Sequence, residues 1–516
     1  GENVLKEENR YELVIDNEAD LAGLPESAIT AAVAAADERG HAGKWVFTLH
    51  KPSLIPFLQY ASRRDLREQI YQAYINRGNH DDELDNKATL LEMAQLRARR
   101  AQLLGYETHA HYVLEENMAK TPEQVYARLT EIWQPALQRA QQERAEMQAL
   151  IDQEGGGFQL ASWDWWYYAE KVKKAKYDLD EEMLRPYFKL ENVLQGAFDV
   201  ATRLYGLQFE ERTNLPIYHP DVSVFEMKGA SGQHVGILFV DYFPRASKRG
   251  GAWMGEFRQQ MKQDGLDIRP VVYNVGNFSK PTVDKPSLLS LEEVETLFHE
   301  FGHALHGLLS DCNYRMLAGT NVARDFVELP SQIMENWATE PAVLKLYARH
   351  HETDKPMPDD LIEKIQKSRY FNQGFATTEY LAASFLDMDW HTRVTPDTPV
   401  DVLAFENESL SRIGLIPEIV PRYRSSYFNH IFSGGYSAGY YAYIWAELLD
   451  ADAFQAFKET GDIFNPQVAQ AFRDNILSRG GTEEPMGLYL QFRGKEPAID
   501  ALLERRGLKP AADVPQ

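Results

Sequence analysis

The sequence predicts a mainly helical protein with one small β-sheet set just before its most distinctive helix. Three observations carry that expectation. From residue 1 to about 210, apolar residues recur at helical spacing. Between about 215 and 280 the period falls to two, in short runs rich in β-branched and aromatic residues. Beyond Ser290 the helical period returns behind a capping signal. The corresponding division is a helical N-terminal lobe, 1–210, and a second region, 211–516, that holds the sheet and the residues able to do chemistry. With 516 residues, 44% of them apolar, the chain can bury a large core and has room for two or three domains.

Taken in order, Ile29 to Glu38 is an alanine-rich helix, and Arg63 to Arg77 and Leu84 to Leu104 are amphipathic helices, the last stopped by Gly105. The next start is sharply marked. Thr121 is the N-cap, Pro122 occupies the first helical position and Gln124 stands three residues after the cap. The helix runs to about Glu154, with Pro135 as an expected kink and Gly155-Gly156-Gly157 as its end. The aromatic stretch Trp163 to Tyr168, followed by Lys171, Lys173, Lys174 and Lys176, has the residue types that stack on nucleic acid. A helix with inward-facing rings is the better reading in so acidic a chain.

Three strands are expected at Val222 to Met227, His234 to Phe243 and Pro270 to Phe278, separated by Gly229 to Gly232 and Arg245 to Gly251. An exposed edge of such a sheet can hydrogen-bond an extended peptide, although the same pattern also fits a sheet that only covers a core. The glycine-rich Ser247 to Trp253 lacks the GK[ST] spacing of a phosphate loop.

Charge and composition exclude several classes. The formal charge of −23 argues against nucleic acid or an anionic membrane as partner, since both need a basic face. No apolar run reaches membrane-spanning length. The single cysteine, Cys312, rules out an internal disulfide framework and fits a reducing compartment. A cytoplasmic location is expected, with periplasm or secretion as the alternative if a signal peptide preceded Gly1. The lack of an initiating methionine leads us to expect that upstream residues have been removed.

The chemistry centres on Thr296-Leu297-Phe298-His299-Glu300-Phe301-Gly302-His303-Ala304-Leu305-His306. His299 and His303, one turn apart on a helix, can hold one Zn²⁺, and Glu300 stands beside the first to act on a metal-bound water. The helix is supported independently by the Ser290 to Glu293 capping box and by Val294, Leu297, Phe298, Phe301, Leu305 and Leu308 at helical spacing. A third ligand is expected at the head of a second helix that Pro330 helps to start. Glu328 is the choice, completing a His₂Glu site with a position left for water. Glu335, on the same helical face, can accept the second N–H of a ligand histidine, with Asp325 as the competing candidate. A structural zinc site fits poorly in a chain with one cysteine.

A second stretch, Tyr427 to Tyr443, combines His430, glycines at 434, 435 and 439, and Tyr436, Tyr440 and Tyr443. The glycines allow a mobile loop that closes on substrate, and the phenols are donors spaced to meet on one side. Donors of this kind can stabilise the oxyanion formed when water attacks a peptide carbonyl.

HEFGHALH at 299–306, with Glu328 inside ELPSQIMENW and the His430 to Tyr443 segment, resembles the M3 (thimet oligopeptidase) family of zinc metallopeptidases. HPDVSVFEM, FPRASKRGGAW and FRGKEPAIDALLERRGL extend the likeness over nearly the whole chain, which looks like the peptidyl-dipeptidase (dipeptidyl carboxypeptidase) branch. The resemblance implies a two-lobed helical molecule with a deep central channel, one Zn²⁺ per chain, and short unstructured peptides as substrates. It implies that Tyr443 and His430 stabilise the oxyanion, that Tyr436 shares in transition-state contacts and that Tyr440 lines the substrate site. A monomer is expected. Members of that branch usually carry a further helical stretch before the point matching Gly1, so part of the N-terminal lobe is expected to be missing here.

Release of C-terminal dipeptides needs a cation for the substrate's free carboxylate. Arg422, Arg424 and Arg249 are the candidates, each of which also fits an ordinary structural role. The alternatives in function are an M3-type oligoendopeptidase that cuts internal bonds and, from another class, a peptide-binding protein that does not cleave.

Overall fold

The histidine helix, Leu291–Leu308, sits at the centre of the largest apolar core of the computed structural model, which describes residues 1–509. Its capping box is formed in both directions: Glu293 N–H donates to Ser290 Oγ at 3.1 Å, and Ser290 N–H to a Glu293 carboxylate oxygen at 2.9 Å. The apolar stripe read from the sequence is buried as a unit, with Val294, Leu297, Phe298, Phe301, Leu305 and Leu308 at 0–1% exposure. Burial of each such side chain is worth about 1.5–3 kcal/mol, so the orientation of this helix is strongly fixed.

One side of the helix lies on the sheet. Strands Gln208–Glu211, Ser223–Lys228, His234–Asp241, Val271–Val275 and Trp253–Arg258 pair in that spatial order. All pairings are antiparallel except His234–Asp241 with Val271–Val275. The three expected strands are present, and the two at the edges went unread. Gln208–Glu211 is short and charged, and Trp253–Arg258 follows directly on the glycine-rich loop, so neither carries a clear period. Trp253–Arg258 is the edge strand beside the histidine helix. Asn274, on the neighbouring strand, donates its side-chain N–H to the Glu300 carbonyl at 2.8 Å and ties sheet to helix.

The other side packs on Leu329–Thr339, with Pro330 in its first turn and Glu328 as its N-cap residue. Gly302 permits this contact. A Cβ there would stand 2.3 Å from the Pro330 carbonyl oxygen and 2.6 Å from Ser331 Cα, so only glycine lets the two backbones approach.

Most helices fall where the sequence puts them: Glu26–Glu38, Arg64–Ile75 and Pro122–Gln153, the last capped by Thr121 and containing Pro135. The third early helix starts late, at Lys87, because Asp82 and Asp85 accept the backbone N–H groups of Leu84 and Lys87 and fold the lead-in as a turn. The aromatic stretch opens the helix Trp165–Tyr177 with Trp165 and Tyr168 buried, and its lysines pair with Glu154, Asp180 and Glu146 rather than forming a free basic face.

A second core joins Pro122–Gln153 to the helix Gln373–Thr392 and takes in Tyr440, Tyr441 and Ile444 from the glycine- and tyrosine-rich segment. Both cores draw on chain from either side of residue 210, so that boundary marks a change of hydrophobic period along the sequence. Among the described residues no helix is long and apolar enough to cross a membrane.

Candidate metal and active site

His299 and His303 emerge from the same side of their helix, with ring centroids 5.0 Å apart. Both present Nε2 to one oxygen of Glu328, at 3.2 and 3.0 Å. Glu328 is placed by the close packing of the two helices and by Ser331, whose hydroxyl donates to the same carboxylate oxygen at 3.0 Å. Glu335, two turns further on, holds His299 Nδ1 at 2.6 Å and so directs Nε2 inward. His299, His303 and Glu328 therefore form a set whose ligand atoms could hold one metal ion. A second triplet among the described residues, His350, His351 and Glu352, lies on consecutive positions of a solvent-facing turn.

The electrostatics of the set agree with its chemistry. Burial acts to raise the Glu328 carboxyl, but the facing His303 and His299 hold it well below the usual range. Burial acts to lower His299, and its hydrogen bonds to Glu328 and Glu335 outweigh that and raise it. Two imidazole nitrogens converging on one carboxylate oxygen are the donors a divalent cation takes, and its binding would displace the proton that His299 holds. Glu300, on the same helix, is 6% exposed, and one of its carboxylate oxygens is buried without a protein partner. Burial raises its pKa, which suits a group that must both take up and give back a proton.

The glycine- and tyrosine-rich segment closes over this set. Tyr436 donates its hydroxyl to the second oxygen of Glu328 and stacks on Tyr443, ring centroids 5.4 Å apart at 8°. His430 lies 5.8 Å from Tyr436 and 6.3 Å from Tyr443 by ring centroids, and its Nδ1 is buried without a partner. Burial, then the charge of Arg422, pushes His430 down to about 4, so the ring is neutral near pH 7 and can donate one N–H. Burial also raises both phenols far above any working pH, which keeps them donors.

Several expectations are corrected. Asp325 does not support a ligand histidine. It accepts the backbone N–H groups of Met118 and Ala119 at 2.9 Å each and the Tyr441 hydroxyl at 2.7 Å, locking the segment before Glu328 against the second core. Arg424 is structural, bound to Glu406 at 2.7 Å and to the Ile75 carbonyl at 3.2 Å. Tyr440 is 2% exposed and packs edge-on against Phe428 and Tyr423, which leaves it little surface for a substrate. The loop is not free along its length, because Ala438, Gly439 and Tyr440 all donate backbone N–H groups to Asp387, while Gly434 and Gly435 remain exposed.

Arg422 and Arg249 stay open as candidates. Arg422 is paired with Glu379 at 3.0 Å but keeps 40% of its side chain exposed. Arg249 is exposed, its guanidinium 5.5 Å over the ring of Trp253 at the start of the edge strand.

The structure also adds residues that the sequence reading missed. Arg324 lies 4.6 Å over the Tyr436 ring, and Gln332 donates to the Tyr443 carbonyl at 3.0 Å. Asp387 had a readable signal, an acidic residue one turn before His391 within the apolar run Phe385 to Trp390.

This constellation on a helical frame is that of a metal-dependent hydrolase. Residues 57–508 match peptidase family M3, and the chain belongs to that family; it is a metallopeptidase. It is 44% identical to the dipeptidyl carboxypeptidase of Escherichia coli (strain K12), over 96% of this chain and 73% of that protein. It is 40% identical to oligopeptidase A of the same organism, over 98% of this chain and 75% of that one.

Proposed function

We propose that this chain is a zinc-dependent peptidyl-dipeptidase that removes dipeptides from the C-termini of short unstructured peptides. The observation that carries the chemistry is the convergence of His299 and His303 on one oxygen of Glu328, at 3.2 and 3.0 Å, beside the unpartnered carboxylate of Glu300. A His₂Glu donor set is that of catalytic zinc, and one Zn²⁺ per chain is proposed. Bound there, the ion would polarise the scissile carbonyl and lower the pKa of a water.

The protein's own groups do the rest. Glu300 takes the proton from the attacking water and passes it to the leaving amine. Tyr443 and His430 donate to the oxygen that becomes negative, with Tyr436 stacked against Tyr443 and in reach of the same region. The edge strand Trp253–Arg258 has one unpaired edge and can add an extended peptide as a further strand. Arg422, with Arg249 as second candidate, anchors the free carboxylate two residues past the cut. Elements drawn from both 1–210 and 211–516 are proposed to wall a channel that admits flexible chains and excludes folded ones. The protein acts as a monomer in the cytoplasm.

The higher identity to dipeptidyl carboxypeptidase favours dipeptide release, and the nearly equal identity to oligopeptidase A makes internal cleavage the second reading. Two ten-residue peptides of identical sequence, one amidated at its C-terminus and one free, separate the two by mass spectrometry of products. Stepwise loss of dipeptides from the free peptide alone, stopped by chelator and restored by zinc, is expected. Internal cuts in both would establish an oligoendopeptidase, and an intact pair with zinc-loaded protein would leave only peptide binding.

A further inference from the structure

Asp387 is fully buried on the helix Gln373–Thr392, and four donors surround its carboxylate. One oxygen accepts Ala438 N–H and His391 Nδ1–H, both at 2.9 Å. The other accepts Gly439 and Tyr440 N–H, also at 2.9 Å. His391 is itself oriented. Arg97 approaches its Nε2 at 3.0 Å, and because an arginine can only donate, Nε2 accepts and Nδ1 carries the hydrogen that points at Asp387.

Three successive backbone N–H groups aimed at one anion form a nest, a concavity that takes a residue in the left-handed region to turn them the same way. Ala438 shows the requirement, since it has φ +51°, in the left-handed region that non-glycine residues avoid. The same stretch is fastened on both flanks. Ser437 Oγ meets His109 Nε2 at 3.0 Å, and the Tyr380 hydroxyl donates to the Tyr440 carbonyl at 2.5 Å while accepting Ile444 N–H at 3.2 Å. Gly434 and Gly435, just before, are exposed, with Tyr436 between this free part and the pinned part.

We propose that Asp387 is a positioning residue for the reaction: its carboxylate folds 438–440 into a nest and so sets the directions in which Tyr436 and Tyr443 present their hydroxyls. The inference rests on the reading above that Tyr443 acts on the reacting peptide. A buried carboxylate whose one ionisable neighbour is an imidazole is unfavourable unless fully hydrogen-bonded. Here every hydrogen bond from a backbone N–H comes from this one loop. Asp387 acts through backbone to the tyrosines, so its removal lowers the rate of the bound substrate more than it weakens binding.

The test is a double-mutant cycle in the zinc-loaded enzyme. kcat and KM for an internally quenched peptide are measured for the parent, Asp387→Asn, Tyr443→Phe and the double variant, with zinc content and melting temperature recorded for each. Asp387→Asn is expected to lower kcat about tenfold or more while KM moves less than about threefold at unchanged zinc content. The double variant is expected to be no slower than about twice the worse single one, because Tyr443 has already lost its aim.

Losses that multiply in the double variant, or an Asp387→Asn enzyme with parental kcat, would overturn the inference. A Tyr443→Phe enzyme with parental kcat would refute the reading of Tyr443 instead, and the inference would fall with it. If Asp387→Asn does not accumulate as folded protein, Asp387→Glu, which keeps the charge but displaces the carboxylate that 438–440 fold around, enters the same cycle under the same criteria.

Discussion

Gly302→Ala should weaken metal binding without touching a ligand. The added methyl would stand 2.3 Å from the Pro330 carbonyl oxygen and 2.6 Å from Ser331 Cα, both backbone atoms that no rotamer change can move aside. Non-bonded carbon contacts settle near 3.5–4.0 Å, so the two helices must part by about 1 Å at this point. Glu328 caps the helix that has to move, while His299 and His303 stay on the other. Zinc sites tolerate displacements of only about 0.2 Å in ligand distance, so a shift of that size either takes the carboxylate out of reach or strains the site to keep it.

Overpacking of a tight contact typically costs about 1–3 kcal/mol, and if that strain is relieved only when Glu328 lets go, zinc affinity falls about 5- to 150-fold. Competition against chelators of graded affinity reads the change directly. Gly487→Ala is the control, since its Cβ would meet nothing within 4 Å and it should bind zinc as the parent does. A Gly302→Ala protein with parental zinc affinity would refute the claim that this glycine sets the spacing of the ligands.

Three further outcomes are expected. Glu300→Gln should keep its zinc and lose turnover, and retained activity at full zinc content would remove Glu300 from its role. Glu335→Gln weakens the hydrogen bond to His299 Nδ1, and zinc affinity should drop about 10- to 100-fold in the same chelator competition; an unchanged affinity would mean that the ring is oriented by packing alone. Burial pushes His306 down to about 3 and His109 down to about 2, whereas an unfolded histidine titrates near 6.5. The unfolded chain thus binds more protons than the folded one below pH 6.5, and stability is lost as the pH falls from there toward those values. Urea unfolding of metal-free protein should show this as a slope of up to about 1.4 kcal/mol per pH unit for each histidine. His306 is wholly buried with neither ring nitrogen partnered by the protein, so His306→Leu should reduce the slope; an unaltered slope would show that His306 is not its source.

The two histidines of the candidate metal set were legible because their pattern is local. A helix puts His299 and His303 on one side by its pitch alone, and the capping box at Ser290 fixes where that helix begins. Glu335 was reached by the same reasoning, being two turns along the face that starts at Glu328. Asp325 went astray because spacing does not say which way a loop residue points, and its carboxylate faces Met118 and Ala119, far away in the chain. The glycine-rich segment was read as mobile from its composition, yet Asp387, from a separate helix, pins its second half. Arg422 and Arg424, two residues apart, show how little the residue type alone decides: one is half-exposed beside His430, the other is tied to Glu406.

By itself, then, the sequence determined the helical class, the three central strands, and the histidine helix with its cap and buried stripe, since each depends on the pattern within a short stretch of chain, and it named His299, His303 and Glu328 as the candidate ligand set. Tertiary structure alone decided how far apart the two metal-bearing helices stand, what locks Asp325, and which residue folds the tyrosine loop. Those depend on groups brought together from distant parts of the chain, where no periodicity records the meeting and only the packed core selects one arrangement among many.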